Sequence, residues 1–253
     1  MYFDTHAHYD DKSFDIDRDE LLNSLPEKGV ELVVLPGCDL ESSRKAIAIA
    51  ERYNYIYAAV GVHPGELAGF KPSDIDEIER LAQHEKCVAI GEIGLDYYWD
   101  DSRKEEQKQL LKAQLELALR LDKPVIIHDR EAHADSMEIL FQYPQLRGVF
   151  HCFSGSKEMA QELLKRGWYL GFDGPVTYKN ARKAVEVVEI CPVDRLLIET
   201  DSPYLSPVPM RGKRNDSSNL SFVVEKIAQI KGMSGEEIAR RSLENGKRLF
   251  NID

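Results

Sequence analysis

The amino-acid sequence predicts an α/β protein with the (β/α)8 fold of a TIM barrel. Eight short apolar runs, rich in branched and aromatic side chains, alternate with longer segments of helical periodicity. Such runs are typical of strands buried on both faces of a parallel sheet. A length of 253 residues also suits one barrel. An open doubly wound sheet is the alternative, but the chain lacks a glycine-rich nucleotide-binding turn.

The most polar interruption of the pattern is the long loop 206–219 after the eighth strand. The chain shows no linker, internal repeat or low-complexity segment, so residues 1–253 are expected to form a single barrel domain. The eight runs cover residues 2–6, 31–37, 56–64, 87–94, 124–128, 148–151, 169–174 and 196–201.

The segments between the strands carry helix signals. Asp39 and Ser73 stand where an N-cap is expected, because their side chains accept hydrogen bonds from free backbone N–H groups. Leu111, Leu115 and Ala118 recur on one face of a helical segment. Helical patterns cover residues 40–53, 74–85, 104–122, 156–166, 220–231 and 235–250.

The composition is that of a globular protein, with 43% hydrophobic and 30% charged residues. The formal net charge of −11 disfavours broad coating of nucleic acid but permits a local grip on a phosphate. The four cysteines lack paired spacing and are expected to be reduced thiols. No apolar run has the length of a membrane span and no signal segment starts the chain, so a cytoplasmic protein without membrane contact is expected.

Five of the seven histidines lie at predicted strand ends, together with two acids. The C-terminal strand ends form the active-site face of a (β/α)8 barrel, so these side chains are expected to meet. His84 and His133 fall in helical segments instead and are interpreted as ordinary surface or helix histidines. The strand-end residues are His6, His8, His63, Glu92, His128, His151 and Asp201.

The pattern of these residues indicates a metal site. His6 and His8 are two residues apart in an extended segment, so both rings project to one face. Imidazoles with carboxylates suit a divalent transition metal, and carboxylate-rich sites also accept Mg²⁺ or Mn²⁺. Six ligands are more than one tetrahedral ion can accept. They fit two ions about 3.5–4 Å apart that share a carboxylate. Glu92 is the candidate bridge, and the six candidate ligands are His6, His8, Glu92, His128, His151 and Asp201.

A binuclear site predicts hydrolysis, since two metals activate a water and stabilise charge on the attacked group. Asp201 is expected to orient or deprotonate that water. A nucleophilic side chain is disfavoured. Ser202 lacks a G-x-S-x-G turn, and Cys152 adjoins His151 in sequence and so points to the opposite face of the strand.

Seven motifs, spread from Asp4 to Phe250, carry a family resemblance: "DTHAHYD", "GVHPGE", "AIGEIGLDYY", "PVIIHDREAHAD", "FHCFSGS", "IETDSPYLSPVPMRGKRND" and "ENGKRLF". In this order they resemble the TatD family of metal-dependent deoxyribonucleases, within the metallo-hydrolase barrel superfamily. The chain departs from the family pattern after "RGKRN", where it continues "DSSN" at 216–219 instead of with an acid and a proline. That departure leaves the path of this loop open.

The resemblance implies a two-metal hydrolase that cleaves DNA phosphodiester bonds with a metal-activated water, as a 3′-5′ exonuclease on single-stranded ends. It implies two divalent ions, Mg²⁺ in use or Zn²⁺, Mn²⁺ or Ni²⁺ in its place. One ion would be held by His6, His8, Glu92 and Asp201, and the other by Glu92, His128 and His151. The expected partner is therefore the 3′ end of single-stranded DNA, and the protein is expected to be a monomer.

Further residues are assigned to the surroundings of the metals. Asp4 and Glu199 are interpreted as inward-pointing acids that orient ligand imidazoles, or else as buried acids paired with barrel neighbours. Tyr97, Tyr98 and Trp99 follow Glu92 and are candidates for stacking on bases. The candidate substrate contacts are His63, Arg130, Arg211, Lys213 and Arg214, the alternative for the basic loop being solvation.

Two other functions stay open from the sequence. One is a different metallo-hydrolase on the same barrel, either an aminoacyl-tRNA deacylase or a small-molecule amidase or lactonase. The other is a non-catalytic nucleic-acid-binding barrel, which the intact set of six ligands disfavours.

Overall fold

The computed structural model describes all 253 residues. Eight parallel strands form one sheet in chain order, each hydrogen-bonded to the next, so the predicted (β/α)8 barrel is confirmed. Every predicted strand is present, although several end earlier than their apolar runs. The strands are β1 (Tyr2–Asp4), β2 (Val30–Pro36), β3 (Ile56–Val60), β4 (Cys87–Asp96), β5 (Val125–Arg130), β6 (Gly148–Phe150), β7 (Tyr169–Phe172) and β8 (Leu196–Ile198).

The barrel is closed by backbone hydrogen bonds between the segments that follow β1 and β8. Ala7 and Ser202 form a parallel bridge. The amide of Asp201 donates to the carbonyl of His6 at 2.9 Å, and the amide of His8 donates to the carbonyl of Ser202 at 2.7 Å. Closure therefore brings the first histidines of the chain next to an acid nearly 200 residues away.

The helices surround the sheet. The N-cap role of Asp39 is confirmed, because its carboxylate accepts from the amide of Ser42 at 2.7 Å. His84 was predicted to lie within the helical segment 74–85, but the observed helix ends at Ala82, two residues before it. No helix is long and apolar enough to span a bilayer. The helices are α1 (Arg18–Ser24), α2 (Leu40–Arg52), α3 (Asp74–Ala82), α4 (Lys104–Arg120), α5 (His133–Leu140), α6 (Lys157–Lys165), α7 (Arg182–Ile190), α8 (Leu220–Lys231) and α9 (Gly235–Phe250).

The core has two layers, as alternation along buried strands requires. One layer lies between sheet and helices and includes Val33 of β2 and Leu115 of α4. The other fills the barrel interior, where Leu32 and Val34 of β2 pack together with Phe250 from the end of α9. The apolar interior fills the lower barrel, so the polar strand ends gather at the opposite, C-terminal face.

Candidate metal centre

The strand-end histidines and acids converge at the C-terminal face of the barrel. The rings of His6 and His8 lie side by side, with 3.1 Å between their Nε2 atoms, as their spacing predicted. The rings of His6 and His151 stack with centroids 3.9 Å apart. These side chains come from the ends of β1 and β6, so the centre joins elements that are distant in the chain.

Glu92 lies at the middle of this cluster and is buried. Its Oε2 lies 3.2 Å from Nε2 of His6 and 3.6 Å from Nε2 of His8. Its Oε1 lies 2.7 Å from Nδ1 of His128 and 2.8 Å from Nε2 of His151. The two oxygens of one carboxylate therefore face two different pairs of histidines.

Asp201 completes the side of the cluster formed by the first histidines. Its Oδ1 lies 3.7 Å from Nε2 of His6 and 3.4 Å from Nε2 of His8. The backbone of Asp201 has a positive φ of 55°, which is uncommon for residues other than glycine. This local turn aims the carboxylate at the imidazoles, and the sequence gives no signal for it.

His63 also enters the cluster. It follows β3, and its Nδ1 accepts from the amide of Gly65 at 3.0 Å, which fixes the ring. Its Nε2 then lies 3.6 Å from Oε1 of Glu92. His63, Glu92 and His128 together bring their ligand atoms close enough to hold one ion. Because Nδ1 accepts the hydrogen bond from Gly65, the neutral ring carries its proton on Nε2, so the nitrogen that faces the cluster is a donor and not a metal ligand.

Asp96 is a site residue that the sequence analysis missed. Its Oδ2 lies 3.0 Å from Nε2 of His128, on the side of the ring opposite Glu92. Its Oδ1 accepts from the amides of Tyr98 and Trp99 at 2.9 and 3.1 Å. Asp96 is four residues after Glu92 on β4, so the alternation rule applied to Asp4 and Glu199 would have found it.

Cys38 was missed as well. Cys38 lies just after the end of β2, and its Sγ is 4.0 Å from Nδ1 of His8. Cys38, His8 and Glu92 form another group whose ligand atoms lie close together. The signal was a polarizable side chain directly after an apolar run, which on its own is weak.

The two acids assigned to orient imidazoles behave differently from each other. Glu199 fits that role, since its Oε1 lies 3.7 Å from Nδ1 of His151 and accepts from the amide of Cys152 at 2.5 Å. Any side chain at Gly171 on β7 would collide with this carboxylate, so the glycine provides the space it occupies.

Asp4 does not contact an imidazole, and its partners fit the alternative of a buried acid paired with barrel neighbours. Its Oδ2 accepts from the hydroxyls of Thr200 and Ser217, each at 2.6 Å, and its Oδ1 accepts from the amides of Thr200 and His6. Burial raises the pKa of Asp4 to about 7, and these hydrogen bonds oppose the shift. The physical reason is that β1 ends at Asp4, so the alternation of the strand does not carry on to His6.

The structure shows the path of the loop at 216–219, where the chain departs from the family pattern. Asp216 caps a short 3-10 turn over Ser217–Asn219 by accepting from the amide of Ser218 at 2.9 Å. The hydroxyl of Ser217 reaches Asp4, and Tyr9 lies 2.7 Å from the same hydroxyl. The loop is therefore tied to the buried polar network beneath the cluster.

The basic residues near the rim differ in their partners. Arg214 donates to both carboxylate oxygens of Asp17, at 2.8 and 2.5 Å, and lies over the ring of Phe14. Arg211 lies over the ring of Tyr178, 4.3 Å from its centroid, while Lys213 has no ion-pair partner. Arg214 thus has an evident structural role that the sequence did not reveal.

Arg130 lies over two exposed aromatic rings, 4.0 Å from the centroid of Tyr98 and 5.5 Å from that of Trp99. Tyr97 is oriented away from this group, because its hydroxyl donates to Asp135 at 2.6 Å. The two histidines assigned no function lie outside the cluster, His84 beside Glu51 and His133 beside Asp129.

The electrostatics of the cluster fit a bound cation. Burial favours the neutral form of Glu92, but the imidazoles of His151, His6 and His63 hold its pKa well below the ordinary value. Burial also lowers the pKa of His63 to about 4, which keeps its ring neutral. Glu92 has no lysine or arginine partner, and a buried anion surrounded by imidazole lone pairs is a donor set for a divalent metal.

The barrel and this donor set together define a class, the metal-dependent hydrolases of the (β/α)8 type. The family described as "TatD related DNase" matches residues 3–251, and the chain belongs to the TatD family.

Curated relatives agree with this assignment. One is a metal-dependent hydrolase named YabD from Bacillus subtilis, 46% identical over 100% of both chains. Another is the 3′-5′ ssDNA/RNA exonuclease TatD of Erwinia tasmaniensis, 33% identical over 99% of this chain and 100% of that protein.

A solved structure shows the same architecture. The TatD homologue YjjV from Escherichia coli superposes with a TM-score of 0.94 and 34% identity, over 100% of this chain and 98% of that chain. The protein is accordingly a metal-dependent hydrolase of the TatD family.

Proposed function

We propose that this protein is a two-metal hydrolase that cleaves phosphodiester bonds of DNA, removing nucleotides from the 3′ ends of single strands. The observation that carries the proposal is the position of Glu92. Its two oxygens face separate histidine pairs at 2.7–3.6 Å, as expected of a carboxylate that bridges two ions.

The residues divide into two sets of ligands around that bridge. His6, His8 and Asp201 lie on the Oε2 side of Glu92, and His128 and His151 on the Oε1 side. Asp96 and Glu199 face the outward nitrogens of His128 and His151, which fixes the orientation of both rings.

Mg²⁺ is the ion expected in use, with Zn²⁺, Mn²⁺ or Ni²⁺ as substitutes. When bound, such ions lower the pKa of a water and stabilise charge on a phosphoryl oxygen. Asp201 supplies the base, because its Oδ1 faces the imidazoles and Oδ2 is left to accept a proton from the attacking water.

The cationic and aromatic side chains around the cluster support a nucleic-acid substrate. Arg130 and Lys213 offer positive charge to phosphates near the cluster, and the exposed rings of Tyr98 and Trp99 suit unpaired bases. The Erwinia relative named as a single-strand exonuclease supports the same class of substrate.

The test is hydrolysis of single-stranded DNA labelled at either end, with Mg²⁺ added to the purified full chain. A ladder that shortens from the 3′ end supports the proposal. Aminoacyl-tRNA, a neutral lactone and a small amide are assayed in parallel, and turnover of one of these without DNA cleavage would replace it. Tight DNA binding with no turnover in any metal would indicate a non-catalytic barrel. The monomeric state and the cytoplasmic location expected from the sequence stay predictions.

A further inference from the structure

We propose that the cavity beside the candidate metal centre, between the ends of β5, β6 and β7 and the start of α7, binds the terminal nucleoside of the DNA strand, and that Asp173 pairs with the polar edge of its base. The cavity is lined by His128 and His151 and so opens directly from the centre. The inference rests on the proposed function, since it requires a scissile phosphate at the metals.

The cavity has the size and walls of a site for one nucleoside. Its volume is about 440 Å³, within the range of small-molecule pockets. Phe153, Phe172 and Val176 supply apolar surface. The ring of Tyr178 forms another wall and is fixed by the hydrogen bond of its hydroxyl to the carbonyl of Ser206, at 3.0 Å. Aromatic and aliphatic walls of this kind accept the faces of a planar base.

Among the polar side chains that line the cavity, Asp173 has an unpaired oxygen. It follows β7, lines the cavity and is 4% exposed. Its Oδ2 is buried and has no hydrogen-bond partner. An unpaired buried carboxyl oxygen is costly, and a ligand that supplies the missing partner gains specificity by doing so. None of the residues predicted from the sequence performs this role.

Cations along the cavity complete the match to a nucleotide. Arg130 and Lys183 line the cavity, and Arg211 lies over the ring of Tyr178. The phosphate that joins the terminal nucleoside to the strand is the scissile one at the metals, so the positive charge of these residues suits the next phosphate of the strand. The cavity therefore presents apolar walls to a base and positive charge to a backbone.

The first experiment fills the cavity. Ala181→Trp places a large ring in it, while Ala48→Trp, on the exposed face of α2, is the matched control. Calorimetric titration with the mononucleotide dTMP, in Mg²⁺, is expected to show at least about ten-fold weaker binding for Ala181→Trp. Ala48→Trp is expected to bind as the wild type does, and thermal melting checks that both variants fold.

The second experiment tests Asp173 by chemistry of the base. Wild-type protein is expected to cleave a strand ending in thymidine about five-fold faster than one ending in the apolar isostere 2,4-difluorotoluene deoxynucleoside. Asp173→Leu is expected to lose that discrimination, because no polar partner remains. A strand ending in an abasic tetrahydrofuran residue is expected to react more slowly than both in the wild type.

The outcomes separate the two proposals. Cleavage of DNA by Ala181→Trp at the wild-type rate, or of the abasic end as fast as the natural end, would overturn the nucleoside site while DNA hydrolysis stands. If dTMP binds and Ala181→Trp abolishes binding, but no DNA is cleaved, the cavity is a nucleotide site and the proposed function fails. Equal discrimination by Asp173→Leu would remove Asp173 from the site.

Discussion

Asp96 and His128 are joined by 3.0 Å between Oδ2 and Nε2, on the face of the ring turned away from Glu92. The same carboxylate accepts from the amides of Tyr98 and Trp99 through Oδ1. One buried acid therefore fixes the orientation of a candidate metal ligand and the turn that carries two exposed aromatic rings.

Asp96→Asn is expected to weaken metal binding about 10–100-fold, because the ring of His128 loses its charged partner. Isothermal titration with Mn²⁺ measures this. Asp129→Asn is the control, since Asp129 contacts His133 and Ser136 on α5 and no residue of the cluster. Equal loss in both variants would indicate a general effect on the barrel.

Glu92→Gln is expected to abolish turnover and to lower the bound metal, because the amide cannot bridge two ions through two anionic oxygens. Metal analysis by mass spectrometry and a DNA cleavage assay measure both. Circular dichroism should show a folded barrel, since the apolar interior lies below the rim. A variant that keeps full activity would exclude the bridging role.

Chelation is expected to abolish activity, and added divalent ion should restore it, with up to two ions bound per chain. The metal should also raise the melting temperature, since a ligand that binds only the folded state stabilises it. At a free metal concentration of a hundred times Kd, the gain is about 2.7 kcal/mol. Activity that survives exhaustive dialysis against chelator would contradict a metal mechanism.

Lys213→Ala is expected to raise KM for single-stranded DNA and to reduce the dependence of log K on log salt by about 0.7, the value of one phosphate contact. Lys213 has no ion-pair partner, so folding stability should not change. Lys28→Ala is the control, because Lys28 lies before β2 at the opposite end of the barrel. An unchanged salt dependence would remove Lys213 from the DNA path.

Arg214→Ala is expected to lower the free energy of unfolding as well as DNA binding, because Arg214 pairs with Asp17 and donates to the carbonyl of Ser13. An ion pair this exposed is screened by solvent, so the expected loss of stability is small. Urea unfolding of Arg214→Ala and Asp17→Asn measures it. If Arg214→Ala loses DNA binding and Asp17→Asn keeps it, Arg214 contacts a phosphate in addition to forming the ion pair.

The positions of the site residues were largely predictable, because strand ends in a barrel share one face. The eight apolar runs located His6, His128 and His151 there, and the two-residue spacing placed His6 beside His8. Asp96 and Asp173 also follow buried runs, so the same rule extends to them. The orientation of Asp4 was not predictable, since β1 ends at that residue and the pattern stops.

The sequence by itself determined the strand order, the approximate positions of the strands and the kinds of side chain at the rim, because these depend on local periodicity and spacing. The tertiary structure decided which groups meet. Asp4 bonds Ser217 across 213 positions, and Arg214 pairs with Asp17 across 197. Such partners are chosen by barrel closure, which brings the two ends of the chain together, and no local pattern in the sequence records them.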